Sequence, residues 1–465
     1  MRSQWYGVLL TVGAAVGFST SVSGDSPPAS TEQVQEHLHT FEGRTYTGPV
    51  LTLEAALAEA LEKNPTLVAL RSQFEAARQR PAQERFLMAP TFEAQIWQWP
   101  ITAFNPADTN MYMFTVGQDL PGRGKRQLRA ELAEKDVEIA ENEIAVRARG
   151  VLAQVKRVYA ELFVARKDIE IHLESVELLR QFADISHAKY ATGCISQQDV
   201  VKAVVELSML HDDLVMMDER ALIAEARLNA LVDRAPEAPI GPLAEPRTEV
   251  TLPPSSELQR IALESQPELK DAQLRRQRGD AALLAAKSEY KPDFMVGGGY
   301  MLMPRDRDGW TASVGITWPR APWARGRLDA RVAEATAEIS AARARERVVE
   351  NGIRLAVQEA YVRVQAAGQR AALLRSSIVP QSEQAIEVSR VAYQTDRGDF
   401  LALIDNQRSL LNARHSYYVA LSSLEQAVAD LERVVGVDLI PSAVSTPTVA
   451  GPVLRTSFMS TLEVR

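Results

Sequence analysis

The residue types that could carry chemistry are few, and most stand in the wrong company. Gly122-Arg-Gly124-Lys125 resembles a phosphate-binding turn but lacks the Gly-x-x-x-x-Gly-Lys-Ser/Thr spacing that gathers backbone N–H groups around a phosphate, so it reads as a strand-to-helix turn. Gly297-Gly298-Gly299 lies inside a strand pattern, where glycine marks curvature or a close backbone approach rather than a dinucleotide loop. Of the 6 histidines, His37 and His39 fall in a Pro- and Gly-containing leader and the rest are scattered among helical stretches, with no metal-ligand spacing. Cys194 is the one cysteine, so neither an internal disulfide nor a cysteine zinc site can form. No Ser/His/Asp arrangement can be singled out. The expectation is a chain that is not an enzyme and uses no cofactor.

What remains is a set of carboxylates beside two turns. Asp199 follows Thr192-Gly193-Cys194, and Asp396, Gly398, Asp399 and Asp405 surround a second turn. Ser196-Gln-Gln-Asp199 matches a capping box, in which Asp199 favours the positive end of a helix. Asp405 sits one to two turns inside its helix, where no cap is needed, and heads a polar stripe of Asp405, Ser409, Asn412 and Ser416 opposite Leu403, Leu410 and Tyr417. Small uncharged groups behind an acid suit the wall of a water-filled duct, or equally a solvated outer face. Carboxylates from several chains brought together would attract cations and repel one another. Gly193 and Gly398 are the expected hinges, because glycine enters backbone conformations that strain other residues.

These turns must be held by long helices. From Gly122 to Leu231 helical periodicity breaks only near Gly193; Ala148, Val155, Leu162, Ile169, Val176 and Ala183 recur every seventh position, with Val151, Val158, Ala165, His172 and Leu179 three positions on. That pattern predicts a narrow seam shared by packed helices. An uninterrupted arm of about 65 residues would be roughly 100 Å long at 1.5 Å per residue, so it must pack lengthwise against others.

The rest of the chain repeats this plan. Pro65 and Pro267, Pro90 and Pro292, Gly124 and Gly326, and Tyr159 and Tyr361 are each 202 residues apart (267 − 65 = 202). Each half reads as short helices (the first from Leu53, resuming from Thr66 to about Phe86), two strands, then a long helix pair. The strands are Thr91 to Trp99 and Met111 to Leu120, then Asp293 to Met303 and Trp310 to Trp318. In the last of these, Trp310, Ala312, Val314, Ile316 and Trp318 share one face. Its two tryptophans stand roughly 26 Å apart at ~3.3 Å per residue, close to the apolar band of a membrane β-barrel. Trp97, Trp99, Trp310 and Trp318 are therefore the candidate membrane-interface aromatics, and Met111, Met113, Met301 and Met303 are expected to pack toward lipid. A half-buried hairpin of a soluble sheet is the competing reading, but the chain has no other strands to complete one. Four strands cannot close a barrel of about eight or more, so further copies must supply the rest; three copies would make twelve.

The expected organisation is a signal peptide over 1–24, an extended leader over 25–50, a first repeat over 51–232, a Pro-rich linker with no core over 233–255, a second repeat over 256–436 and an extended or disordered tail over 437–465. The run Trp5 to Phe18 is too short for a membrane-spanning helix, so strands must hold the chain in any bilayer. A net charge of −8 argues against a nucleic-acid partner.

Specific stretches carry a family likeness: Leu53-Glu-Ala-Ala-Leu-Ala-Glu-Ala-Leu with Asn64-Pro65; Gly124-Lys125-Arg126; Tyr190-Ala-Thr-Gly193 with Asp199 and Ala203; and Tyr393 with Phe400-Leu401-Ala402-Leu403-Ile404-Asp405. Over residues 51 to 436 the chain resembles the TolC-like outer-membrane efflux proteins. The resemblance implies an α+β membrane protein: a homotrimer with a shared twelve-stranded β-barrel in the outer membrane of a Gram-negative-type cell, continued into the periplasm as an α-helical barrel. It implies a passive exit duct working with a periplasmic adaptor protein and an inner-membrane transporter, with acidic residues narrowing the periplasmic entrance. The cargo, whether drug, metal ion, other small molecule or protein, is not written in the chain. The alternative is a non-conducting coiled-coil spacer of the cell envelope, which would have no use for the two hairpins.

Overall fold

The computed structural model of the chain describes residues 46, 48–97, 109–193, 195–246, 250–395 and 397–439. The expected signal peptide, most of the leader, Trp99, Cys194, Asp396 and nearly all of the tail lie outside the described residues.

In chain order the elements are α1 Leu53–Lys63, α2 Pro65–Arg78, α3 Arg80–Arg85, β1 Thr91–Trp97, β2 Met111–Leu120, α4 Lys125–Ala191 and α5 Gln197–Leu231. They continue as α6 Ser255–Ser265, α7 Pro267–Ser288, β3 Phe294–Leu302, β4 Gly309–Ile316, α8 Pro322–Leu373, a π turn at Leu374–Ile378, α9 Val379–Gln394 and α10 Phe400–Val435. Thr52 caps α1, its Oγ1 accepting from Ala55 N–H at 3.2 Å. The helix expected to run on to Phe86 is broken after Arg78, because Pro81 offers no N–H to the preceding turn.

Asn64 shows how the short helices are seated. Its Oδ1 accepts from Thr66 N–H at 3.1 Å, and its Nδ2 donates to the carbonyl of Leu231, the last residue of α5, at 2.9 Å. Gln266, 202 positions on (266 − 64 = 202), donates through Nε2 to Arg433 and Val434 carbonyls near the end of α10 at 3.2 and 3.0 Å. Each amide satisfies helix-end carbonyls that would otherwise lack partners.

Two hydrophobic clusters seat the short helices on the long ones. One joins Ala56, Ala60 and Leu67 to Val155, Val158, Leu162, Ala224 and Leu228; the other joins Leu258, Ala262 and Leu269 to Ile353, Val357, Val364, Leu424 and Leu431. Side chains such as Leu162 and Leu431, fully buried, stabilise by about 1.5–3 kcal/mol each.

α4 has 67 residues without a proline. It packs against α5, α10, α7 and the three short helices, so Leu152, Tyr159, Phe163, Arg166 and Ile171 are buried as well as most of the predicted seam, of which Ala148, Ile169 and Ala183 are half-buried. The narrow heptad seam is thus an underestimate.

The segment expected as a coreless linker is also pinned down. Ile240 is buried in the first core cluster, and Leu51 N–H donates to Pro242 O at 2.8 Å. Arg166 lies beneath this segment, donating to Gly241 O at 2.6 Å, Ile240 O at 2.9 Å and the Glu225 carboxylate at 2.7 Å, with its guanidinium 3.8 Å from the Tyr46 ring centroid.

Among the described residues the strands form one antiparallel sheet in the order β1-β2-β3-β4. Lys125, 1% exposed, ties it to the helices by reaching the Asp293 carboxylate at 2.9 Å and that of Glu289 at 3.4 Å. Asp293 also accepts from Gly122 N–H at 2.7 Å. Burial pushes the Asp293 carboxyl up, but the hydrogen bonds from Gly122 and Lys125 outweigh it and hold it below its ordinary value. The phosphate-loop lookalike is therefore a strand-to-helix turn whose buried lysine pairs with partly exposed carboxylates.

Candidate functional site

Two regions carry the expected function: the sheet and the opposite end of the helices. The strand register sorts side chains into two unlike faces. Phe92, Ile96, Phe114, Val116, Phe294, Val296, Trp310, Val314 and Ile316 share one face and are all exposed, Trp310 by 82% and Val314 by 81%. The other face bears Glu93, Gln95, Thr115, Gly117, Gly297, Gly299, Thr311, Ser313 and Gly315. A Cβ on Gly299 would lie 2.3 Å from Phe114 O, so this face is crowded where the strands approach, whereas one on Gly298, across the sheet, would meet nothing nearer than Thr311 O at 3.6 Å.

Register also corrects two expectations. Trp97 pairs with Met111 and stands on the polar face, its Nε1 donating to Gln95 at 3.1 Å, so it does not share a face with Trp310. Met113 pairs with Met301, and both are on the polar face too, which removes their expected packing toward lipid. Trp318 lies beyond the end of β4, exposed and edge-on to Trp323 with centroids 6.0 Å apart.

At the far end of the helices the two turns are joined. Ser186 Oγ on α4 is 2.9 Å from Tyr393 Oη on α9, and Lys189 Nζ lies 4.4 Å from the Tyr393 ring centroid and donates to its carbonyl. The Tyr393 ring meets Phe400 at 5.5 Å, and Phe400 and Leu403 are buried.

Gly193 ends α4 at φ +75°, its N–H donating to Tyr190 O at 2.9 Å, which is the left-handed helix terminus glycine allows. Gly398 does not have positive φ; it is glycine for space, since a Cβ would lie 3.0 Å from Tyr393 N. Asp199 is in the first turn of α5, yet Ser196 makes no side-chain cap, so the expected capping box is not formed. Asp399 is the exposed N-cap residue of α10 and makes no side-chain cap there. Asp405, Ser409 and Asn412 are exposed along α10, while Leu403 and Leu410 are buried.

Sequence reasoning missed the charge pairs that cross between helices. Arg408 Nε donates to Glu206 at 2.9 Å, joining α10 to α5 near the turns. Further along, the Asp168 carboxylate on α4, 4% exposed, is 2.8 Å from His415 Nδ1 on α10, beside a groove of about 470 Å³ also lined by Arg220 and Arg227. That hydrogen bond raises the His415 pKa above its ordinary value, while burial lowers that of His172. Only the spacing of Asp168 and His415 on separate helices hid this pair, since nothing local couples them.

Among the described residues no helix is long and apolar enough to cross a membrane. The chain is 25% identical over 403 residues to the cobalt-zinc-cadmium resistance protein CzcC of Cupriavidus metallidurans, covering 84% of this chain and 91% of that protein. Its fold matches the outer membrane protein VceC of Vibrio cholerae with a TM-score of 0.67 at 18% identity, over 83% of this chain and 97% of the other. It also matches the open state of the MtrE outer membrane channel of Neisseria gonorrhoeae with a TM-score of 0.69 at 18% identity, over 83% and 89% of the two chains. The model of the outer membrane efflux protein family matches residues 56–233 and 258–437. The chain therefore belongs to the outer membrane efflux protein family, and it is an outer-membrane channel of a tripartite efflux system.

Proposed function

We propose that three copies assemble into a conduit whose shared β-barrel holds twelve strands and whose helices extend into the periplasm toward an adaptor and an inner-membrane transporter. The carrying observation is the sheet: one face dominated by exposed apolar side chains, with β1 paired only to β2 and β4 only to β3 among the described residues. Open edges demand strand partners, and an apolar exposed face demands lipid.

The helices support the same closure. α10 packs against α4, whose Ala153 and Ala160 are 2% and 4% exposed. The positions 202 further on, Leu355 and Val362 of α8, are 61% and 52% exposed. The element matching α10 in the other half is α5, which carries exposed Val201, Val205, Met209 and Val215. The α5 of a neighbouring copy is the natural cover for α8, a head-to-tail contact that closes a ring.

The cargo we propose is divalent metal cations, the class named in the curated relative. The exposed carboxylates Asp399 and Asp405 and the half-buried Asp199 would gather such ions at the periplasmic entrance. Reconstitution into planar bilayers tests the conduit: stepwise, cation-preferring conductance is expected, and a folded protein that never conducts refutes it. Asp405→Ala should lower cation preference and weaken block by multivalent cations without loss of the trimer. Selectivity unchanged in the Asp199, Asp399 and Asp405 alanine variants, singly and together, removes the acidic entrance but not the conduit.

A further inference from the structure

We infer that the polar face of the sheet holds a binding site for a soft, thiophilic monovalent cation of the Cu(I) or Ag(I) class, built from Met111, Met113, Met301 and Met303. Met113 and Met301 are direct cross-strand partners, and the register that pairs Tyr112 with Leu302 brings Met111 opposite Met303 one step further on. Opposed side chains on one sheet face have Cβ atoms ~4.5–5.5 Å apart, and successive same-face positions are ~6.8 Å apart along the strand. Four thioethers thus share one small rectangle.

The hairpin between β3 and β4 makes room for them. A Cβ on Gly309, the residue paired with Met301, would lie 3.2 Å from the Met301 Cε and 3.6 Å from the Met303 Cε, so both thioether arms lean over a gap that glycine leaves open. Met303 is fixed from behind: its N–H donates to Asp308 Oδ1 at 2.9 Å, and Asp306 N–H donates to its carbonyl at 3.1 Å. All four side chains are half-buried.

Packing alone does not account for this block. Apart from Trp97, the partner of Met111, and Met295 at the far end of the strands, its companions on the same face are Gly, Thr, Ser, Gln, Glu and Asp, the company of water, while the leucines, valines and phenylalanines of the sheet are on the other face. Thioether sulfur is a soft donor that selects Cu(I)-type ions over hard or borderline ones and needs no deprotonation. Among the described residues no three His, Cys, Asp or Glu side chains converge to compete for such an ion.

The inference rests on the reading that this face lines the lumen, and the test separates the two. Purified full-length protein carrying Cys194→Ser, which removes the lone thiol, is titrated with silver nitrate in chloride-free buffer. We expect binding that weakens at least ~tenfold, about 1.4 kcal/mol, in Met111→Leu/Met113→Leu/Met301→Leu/Met303→Leu, an apolar exchange of nearly conserved volume. Leucine at Met209, Met216 and Met295 should leave it unchanged. Should the fourfold variant fail to assemble, Met113→Leu/Met301→Leu replaces it. Equal silver affinity in the leucine variants overturns the site while the channel stands. In bilayers, silver should reduce conductance of the parent and not of the variant; binding without any effect on conductance refutes the lumen reading and leaves the metal site intact.

Discussion

α4 and α8 hold matching places in the two halves of the chain, yet one is enclosed by its own molecule and the other is not. α4 buries alanines where α10 crosses it; α8 shows Val348, Leu355 and Val362, seven apart, to the outside. α4 also buries Arg166 among carbonyls, whereas the position 202 further on is Gly368, whose missing Cβ would touch only Leu424 at 3.9 Å. The lesson is that a duplicated sequence need not give duplicated surroundings: one half finishes inside the chain what the other leaves to a neighbour.

The sharpest way to break this comparison is to charge the open side. Leu355→Lys/Val362→Lys should cost about 2 kcal/mol or more at each contact between copies, abolishing crosslinked trimers while circular dichroism of the chain stays helical. Trimers surviving at parent levels would show that α8 faces something other than another copy.

Next in size is the enclosed side. Arg166→Met removes a buried guanidinium from Glu225 and two carbonyls and should destabilise by about 2–4 kcal/mol in denaturant melts. Gly368→Ala, the matching site, should instead stabilise by about 0.5–1 kcal/mol, as alanine does in a helix interior. Similar losses at both positions would erase the asymmetry.

The smallest effect concerns the seam where the halves meet. The folded His415 pKa is raised by its hydrogen bond to Asp168, with Arg220 opposing, so the stabilisation is fully present below the unfolded value of about 6.5 and is lost as pH rises through the folded value. His172, lowered by burial, works at the other limb, costing stability as pH falls from about 6.5. His415→Gln should flatten the alkaline decline and leave the acid one. A decline between pH 6 and 9 that persists in the variant assigns it elsewhere.

Much of the fold was legible because it depends on local period. Alternating residues placed β2 without error, and proline and glycine marked the turns at Asn64 and Gly193. What escaped depends on partners far away in sequence. No local signal says that Ile240 is covered, that Lys125 meets Asp293, or that Asp168 meets His415. The methionines were misplaced for a related reason: side-chain type suggested lipid, but pairing with Gln95 and Gly309 sets the face, and register is a property of two strands. Asp199 stands in the first turn of α5 and Asp399 at the N-cap of α10, but the bonds that fix those turns, through Tyr393 and Arg408, were not foreseen.

One detail of the second half governs how far its open side can run. The π turn at Leu374–Ile378 precedes Pro380 and adds one residue to a single helical turn. Val362 and Val391, 48% exposed, are 29 residues apart (391 − 362 = 29), which is four heptads and one residue over. In a helix supercoiled to 3.5 residues per turn that surplus would swing Val391 about 100° off the line through Val348, Leu355 and Val362. A π turn holds one residue more than an α turn and takes up that surplus, as a leap day keeps a calendar in step with the seasons.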